Sequence, residues 1–261
     1  MQTLLKYKKI KFTKNQVFKI FSKKFFHKAN CEIKGFNYFK KRNIFFLVKR
    51  NGIFKNKKIT LNYEKILLKK INIFFKINKV YAVKKIEYKK INIDLYFNYL
   101  KNEINSIQIK NFLEDIKKKL KQTYNVKKIY VSPAHGDFAH YNVLFDGNKF
   151  YVIDFEFFNK NAVFGYDLFN WYYSTFINKC VKFRLFYVSN ILSKFLFKLL
   201  KFYNFGYNKK LFKEFYNKIY LDIFFLEKMI FYYKETKSNK IEKKDLLKKI
   251  YFIQKILLSN Y

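Results

Sequence analysis

Proline occurs once in 261 residues, tryptophan once, cysteine twice and glycine six times. Two cysteines cannot staple a chain of this length, which excludes a secreted disulfide scaffold. With so little proline and glycine there is no low-complexity linker, and no internal repeat is visible. Long apolar runs are missing as well. The longest stretch without a charged residue, Leu168 to Asn178, is well short of the ~20 apolar residues that a membrane-spanning helix requires. Lys6, Lys8, Lys9 and Lys11 interrupt any apolar leader. A cytoplasmic chain with reduced thiols is the expectation, and Cys31 and Cys180 read as buried apolar residues. What is abundant is apolar surface: 50% of residues are hydrophobic and 23% aromatic. A chain this apolar can bury enough to offset its ordering entropy, so disorder is excluded. The length allows one large domain or two small ones.

Acids are scarce, 18 against 56 basic residues, giving a formal net charge of +38. That charge invites a nucleic-acid or anionic-membrane partner. The kind of base argues otherwise. Only Arg42, Arg50 and Arg184 are arginine, and proteins that grip phosphates or base edges use the planar guanidinium fork. Lys, Asn, Ile, Phe and Tyr all have AT-rich codons, so a biased genome accounts for the composition. The lysines are spread along the whole chain, as a solvated surface whose stems cover apolar area would be. Nucleic acid is therefore disfavoured as a partner despite the charge.

Residues 1–66 read mostly as strands, at Ile10 to Phe12 and Val17 to Phe21, with a turn from Thr13 to Gln16. Residues 25–41 have helical spacing through Phe25, Cys31 or Ala29, Phe36 and Phe39. Asn43 to Arg50 reads as a strand closed by an Asn51-Gly52 turn, and Ile59 to Tyr63 as another strand. Farther on, Ile104, Ile107, Phe112, Leu113, Ile116 and Leu120 recur at helical spacing with Ser106 as cap. Lys128 to Ser132 is a short strand ending at Pro133. Residues 142–145 and 149–154 form a hairpin around Asp146-Gly147. Helices are expected at about 167–178, 185–203, 209–236 and 240–258. The change from strand-rich to helix-rich sequence near 64–70 marks the expected boundary between a lobe at 1–66 and a lobe at 67–261.

One segment departs from this background. Residues 133–168 hold five of the 18 acids (Asp137, Asp146, Asp154, Glu156 and Asp167), two of the three histidines, the only proline and three of the six glycines. Asp137 lies on a loop after a strand, and Asn142 follows five residues later. The hairpin folds back, so Asp154 can lie near Asn142. Asp and Asn oxygens are hard ligands of the kind Mg²⁺ accepts. Asp137 would stand before that ion, free to accept a proton. This is a layout for phosphoryl transfer.

His135-Gly136-Asp137, Asn142 and Ile153-Asp154-Phe155-Glu156 resemble the signature of the aminoglycoside phosphotransferase and choline kinase superfamily, whose motif H-G-D-x-x-x-x-N is matched at every fixed position. Tyr166-Asp167-Leu168 is similar to the family's acidic motif opening the next helix. The resemblance is specific over 133–168 and weak elsewhere. It implies an α+β, protein-kinase-like fold, with a small β-rich amino-terminal lobe and a larger, mostly helical carboxy-terminal lobe carrying the catalytic hairpin. It implies ATP and Mg²⁺ as cofactors. Asp137 would be the catalytic base or the residue that orients the acceptor hydroxyl, and His135 would shape the catalytic loop beside it. Asn142 and Asp154 would hold Mg²⁺. Asp167 would bond the loop backbone or cap its helix. Glu156 reads either as a group near metal or acceptor or as a solvated carboxylate, and His140 as a loop residue.

Such a fold needs a strand lysine on the α- and β-phosphates and a helix glutamate to orient it. Lys19, between apolar strand residues, and Glu32, the only acid in the first 63 residues, fill those places. Lys11 and Lys14 compete with Lys19. No glycine precedes Lys19, so a Thr13–Gln16 turn would have to cover phosphate. Asn62-Tyr63-Glu64 resembles the hinge that would meet the nucleotide base, or is an ordinary strand end. For the acceptor, the chain beyond residue 171 has six acids against 18 Lys and Arg184. A polycationic aminoglycoside would be repelled at long range. A sugar or surface-polysaccharide precursor fits better. Choline would want aromatics such as Trp171, Tyr172 and Tyr173.

Overall fold

The computed structural model describes residues 2–4, 8–42, 50–55, 58–64, 87–146, 148–167, 169–171, 173–174, 219–238 and 243–258. Contacts divide the chain into two compact units: Met1–Ile86 with Ala134–Lys160, and Glu87–Pro133 with Asn161–Tyr261. The expected boundary near 64–70 lies largely outside the described residues. The segment from Ala134 to Lys160, read from sequence as part of the carboxy-terminal lobe, groups with the amino-terminal residues instead. Its aromatic turn packs on the helix there, and its carboxylates meet a strand lysine.

The first unit is built on a five-stranded antiparallel sheet in the order β1-β2-β3-β5-β4. Its strands are β1 (Gln2–Leu4), β2 (Lys8–Phe12), β3 (Gln16–Ser22), β4 (Arg50–Lys55) and β5 (Lys58–Glu64). β2 and β3 are joined by the expected turn, in which the Thr13 N–H donates to Gln16 O at 2.9 Å and the Gln16 N–H to Thr13 Oγ1 at 3.0 Å. Helix α1 (Phe26–Arg42) follows β3. It lays Ala29, Phe36 and Phe39 inward at helical spacing. Phe21, Ala29, Ile59 and Leu61 form a core against which Val17, Phe26, Ile33, Tyr151 and Ile153 pack. Cys31 on α1 is half-buried rather than buried, and Cys180 lies outside the described residues.

The Asn51-Gly52 turn is not formed. Both residues lie within β4, where Gly52 pairs with Leu61, and the chain reverses between Lys55 and Lys58. Continuing the strand through Gly52 keeps the full β4–β5 ladder, which outweighs a local turn preference. The carboxy end of this unit holds the hairpin of β8 (Val143–Phe145) and β9 (Phe150–Val152), with Val143 opposite Val152. The Asp146 carboxylate accepts the Asn148 and Lys149 N–H groups at 2.8 Å and so shapes the turn.

The second unit carries a three-stranded sheet, β10-β7-β6, of β6 (Lys89–Asn92), β7 (Lys128–Ala134) and β10 (Asn159–Val163). β7 runs on through Pro133 instead of stopping before it. Its pairing with β6 ends at Val131 opposite Lys89, so no ladder hydrogen bond to β6 is asked of the proline nitrogen. Helices α2 (Ile93–Asn102) and α3 (Ile107–Tyr124) start on side-chain caps. Asn92 Oδ1 accepts the Asp94 N–H at 2.7 Å, and Ser106 Oγ accepts the Ile109 N–H at 3.4 Å. Beyond the helical residues at 166–167, 169–171 and 173–174, α4 (Ile219–Ser238) and α5 (Lys243–Leu258) pack together. Every residue of α4 from Ile219 to Ile230 is buried, as in a helix surrounded on all sides. The expected helix at 185–203 and the start of that at 209–236 lie outside the described residues.

Candidate active site

Alternation along β3 turns Lys19 to the same buried side as Phe21. A buried ammonium is costly unless it is paired. Lys19 Nζ lies 2.8 Å from Glu32 Oε1, 2.7 Å from Asp154 Oδ1 and 3.9 Å from Glu156 Oε1. Glu32 comes from the inner face of α1 and is fully buried. The strand lysine and helix glutamate named from sequence are thus in contact. Lys11 and Lys14 are exposed.

Asp154 stands two residues past β9, not at its end, with a left-handed φ of 68°. Asp tolerates that backbone better than most residues. Its neighbour Ile153 donates its N–H to Asn142 O at 3.0 Å, which ties Asn142 to the base of the hairpin. Glu156 is buried, so the solvated-carboxylate reading is set aside. Oxygens of Glu32, Asp154 and Glu156 lie within 4.8 Å of one another. Three carboxylates thus bring hard oxygen donors together around Lys19. That donor set suits a divalent cation.

The loop before the hairpin is fixed by its backbone. Gly136 has φ of 86°, and a Cβ there would stand 1.9 Å from Phe157 O, so only glycine fits. His135 is buried, with its ring 4.5 Å from that of Phe155. Its Nε2 donates to Ile153 O at 2.8 Å, while Nδ1 accepts the Asp137 N–H at 3.3 Å. Both nitrogens are committed, so His135 holds the loop to the hairpin. Asn142 Nδ2 donates to Asp137 O at 2.7 Å and to Asp137 Oδ2 at 3.1 Å. Asp137 offers only acceptors, which turns the amide nitrogen of Asn142 toward it and its oxygen away.

One group in the site was not foreseen. Tyr141 donates its hydroxyl to Asp137, 3.1 Å from Oδ1 and 3.3 Å from Oδ2. Desolvation and then the Asp137 charge push its phenol pKa up. Tyr141 occupies a variable position of the motif, where no spacing rule marks it. Tyr63 and Glu64 close β5 opposite Val17 and Gln16. Helical Asp167 is fully buried.

The aromatic cluster considered for choline has other work. Trp171 and Tyr173 are buried, and nothing is described of the Tyr172 side chain. The cation near Tyr173 is the chain's own: Lys228 Nζ lies 5.8 Å from the Tyr173 and Tyr166 ring centres and 4.5 Å from that of Phe231.

A family model for the RIO domain matches residues 88–158. No curated protein sequence matches the chain significantly. Among solved structures, choline kinase LicA from Streptococcus pneumoniae superposes with a TM-score of 0.55 at 14% identity, covering 100% of this chain and 92% of that one. A thermostable mutant of aminoglycoside phosphotransferase APH(4)-Ia gives 0.56 at 10% identity, covering 100% and 94%. The GDP complex of aminoglycoside 2'-phosphotransferase-IIIa gives 0.55 at 9% identity, covering 99% and 92%. The chain therefore has the protein-kinase-like fold of the aminoglycoside phosphotransferase and choline kinase superfamily.

Proposed function

We propose that the chain is an ATP-dependent phosphotransferase acting on a small-molecule hydroxyl, in the cytoplasm. The observation that carries this reading is Lys19 bonded at once to Glu32 and Asp154, beside the Asp137–Asn142 pair. In it Lys19 grips the α- and β-phosphates and Glu32 fixes its ammonium. Asp137 takes the acceptor's proton as the acceptor oxygen attacks the γ-phosphorus and ADP leaves. Asn142 and Asp154 would hold Mg²⁺, with Glu156 adding charge beside them. Bound there, the ion would neutralise phosphate charge. Tyr63 and Glu64 would offer backbone groups to the base.

For the acceptor we favour a sugar or surface-polysaccharide precursor over an aminoglycoside. A polycation needs carboxylates in its pocket. Two of the acids beyond residue 171 are buried and committed: Asp222 accepts from Tyr124 at 3.2 Å, and Glu227 accepts from Tyr96 and from the Val163 N–H. The Lys228 ammonium among the aromatic rings likewise disfavours choline.

Thermal stabilisation by ATP, GTP and ADP, with and without Mg²⁺, tests the reading. A Mg²⁺-dependent shift is expected, lost in Asp154→Asn, which keeps the backbone. Asp137→Ala should retain the shift but lose about 10²- to 10⁴-fold in transfer. No shift with any nucleotide would overturn it. A second reading, a kinase-like binding protein without turnover, is favoured by the glycine-free Thr13–Gln16 turn. It predicts the nucleotide shift with equal, negligible transfer in wild type and Asp137→Ala.

A further inference from the structure

Asp137 is placed to receive an acceptor hydroxyl, yet it already receives one. The Tyr141 hydroxyl sits 3.1 and 3.3 Å from its two carboxylate oxygens. Asn142 donates to the same carboxylate at 3.1 Å and is nearly fully buried. Tyr141 differs from it in exposure: 53% of the residue is open to solvent. One donor is built in; the other is a phenol on an exposed ring, held at the carboxylate by its tip.

We infer that Tyr141 is a positioning residue whose hydroxyl stands in for the acceptor on Asp137, denying that place to water until the acceptor displaces it. The inference rests on the phosphotransferase reading and deepens it. Water activated at Asp137 would attack the γ-phosphorus, pass its proton to Asp137 and release ADP and inorganic phosphate. A phenol already donating to both oxygens competes with water for them without taking part in that step. The acceptor must compete with the same phenol, so Tyr141 also raises the concentration of acceptor needed. An acceptor that brings several contacts meets this competition; water brings one.

The test uses water as the probe acceptor. Phosphate release from ATP and Mg²⁺ is measured for wild type, Tyr141→Phe, Tyr141→Ala and the double variant Asp137→Ala/Tyr141→Phe. Nucleotide binding is followed separately by thermal shift. Tyr141→Phe keeps the exposed ring and removes only the hydroxyl. One ordinary hydrogen bond corresponds to roughly a 2- to 12-fold rise in hydrolysis for it. Tyr141→Ala should rise at least as far, and the double variant should fall below wild type. A gain of activity is a result that mere structural damage does not give. Hydrolysis unchanged or lowered in both single variants, with nucleotide still bound, would overturn the stand-in while leaving the phosphotransferase reading intact. Phosphate found on Tyr141 itself after incubation would also overturn it, making the phenol an acceptor. Failure of wild type to bind nucleotide would overturn both.

Discussion

At Lys19 one ammonium serves two buried or half-buried carboxylates at bonding distance, with a third within reach. Removing it withdraws the compensating charge from Glu32 and Asp154 together. Breaking a buried pair from one side costs about 3–5 kcal/mol. Lys19→Met should therefore lower unfolding free energy by that order in urea titrations, and adding Glu32→Gln should restore part of it. Glu227 makes a separate prediction. Burial pushes its carboxyl up to about 8 from 4.5, against the opposing pull of the Val163 N–H and of Lys228. The folded chain then holds a proton that the unfolded chain releases above 4.5. Stability contributed here falls as pH rises from 4.5 toward 8 and levels off above that. Glu227→Gln, which resembles the protonated form, should gain on wild type across that window. Denaturation of both proteins at several pH values checks it, and a constant difference would remove Glu227 as the cause.

At the scale of elements, α1 approaches the turn after Asp154 so closely that Gly35 has no room for a side chain. A Cβ there would meet Phe158 Cβ at 2.8 Å and Phe155 Cβ at 2.9 Å. Helix propensity favours alanine over glycine by about 1 kcal/mol. Overpacking costs about 1–3 kcal/mol and should win. Gly35→Ala is expected to destabilise the fold by crowding Phe155 and Phe158, readable by denaturation; under the proposed function it also weakens nucleotide binding by moving Glu32, readable by titration. The sequence alone showed α1, the Thr13–Gln16 turn, the Ser106 cap and the hairpin, because each rests on local spacing or on a side chain bonding its own neighbours. It also singled out Lys19 and Glu32, since a lone acid among lysines stands out. Two features it could not show depend on other segments: the strand through Gly52, fixed by pairing with Leu61, and the burial of Glu156 beside Lys19; a third, the phenol of Tyr141 on Asp137 four positions away, depends on the irregular path of the loop between them. Asn-Gly was misleading because its turn preference is local while the ladder is not.

For the whole molecule, the charge of +38 is the property most open to misreading. Described lysines outside the site are largely exposed, and no helix among the described residues is long and apolar enough to cross a membrane. If the lysine surface has no selected polyanion partner, binding to duplex DNA of any sequence should be weak. It should fall steeply with salt and vanish near physiological ionic strength. Fluorescence anisotropy across a salt series measures this; salt-resistant, sequence-dependent binding would require a nucleic-acid function. A different consequence follows from the discontinuous make-up of the first unit. Lys19 and Asp154 are 135 positions apart. At ribosomal speeds of about 5–20 residues per second, Asp154 is made roughly 7–27 s after Lys19. Until then the nascent sheet and α1 lack Tyr151, Ile153 and Phe155, which pack on them in the finished fold. Lys19 and Glu32 are thus made well before their third partner, and the cluster they form with Asp154 can close only once the hairpin has left the ribosome.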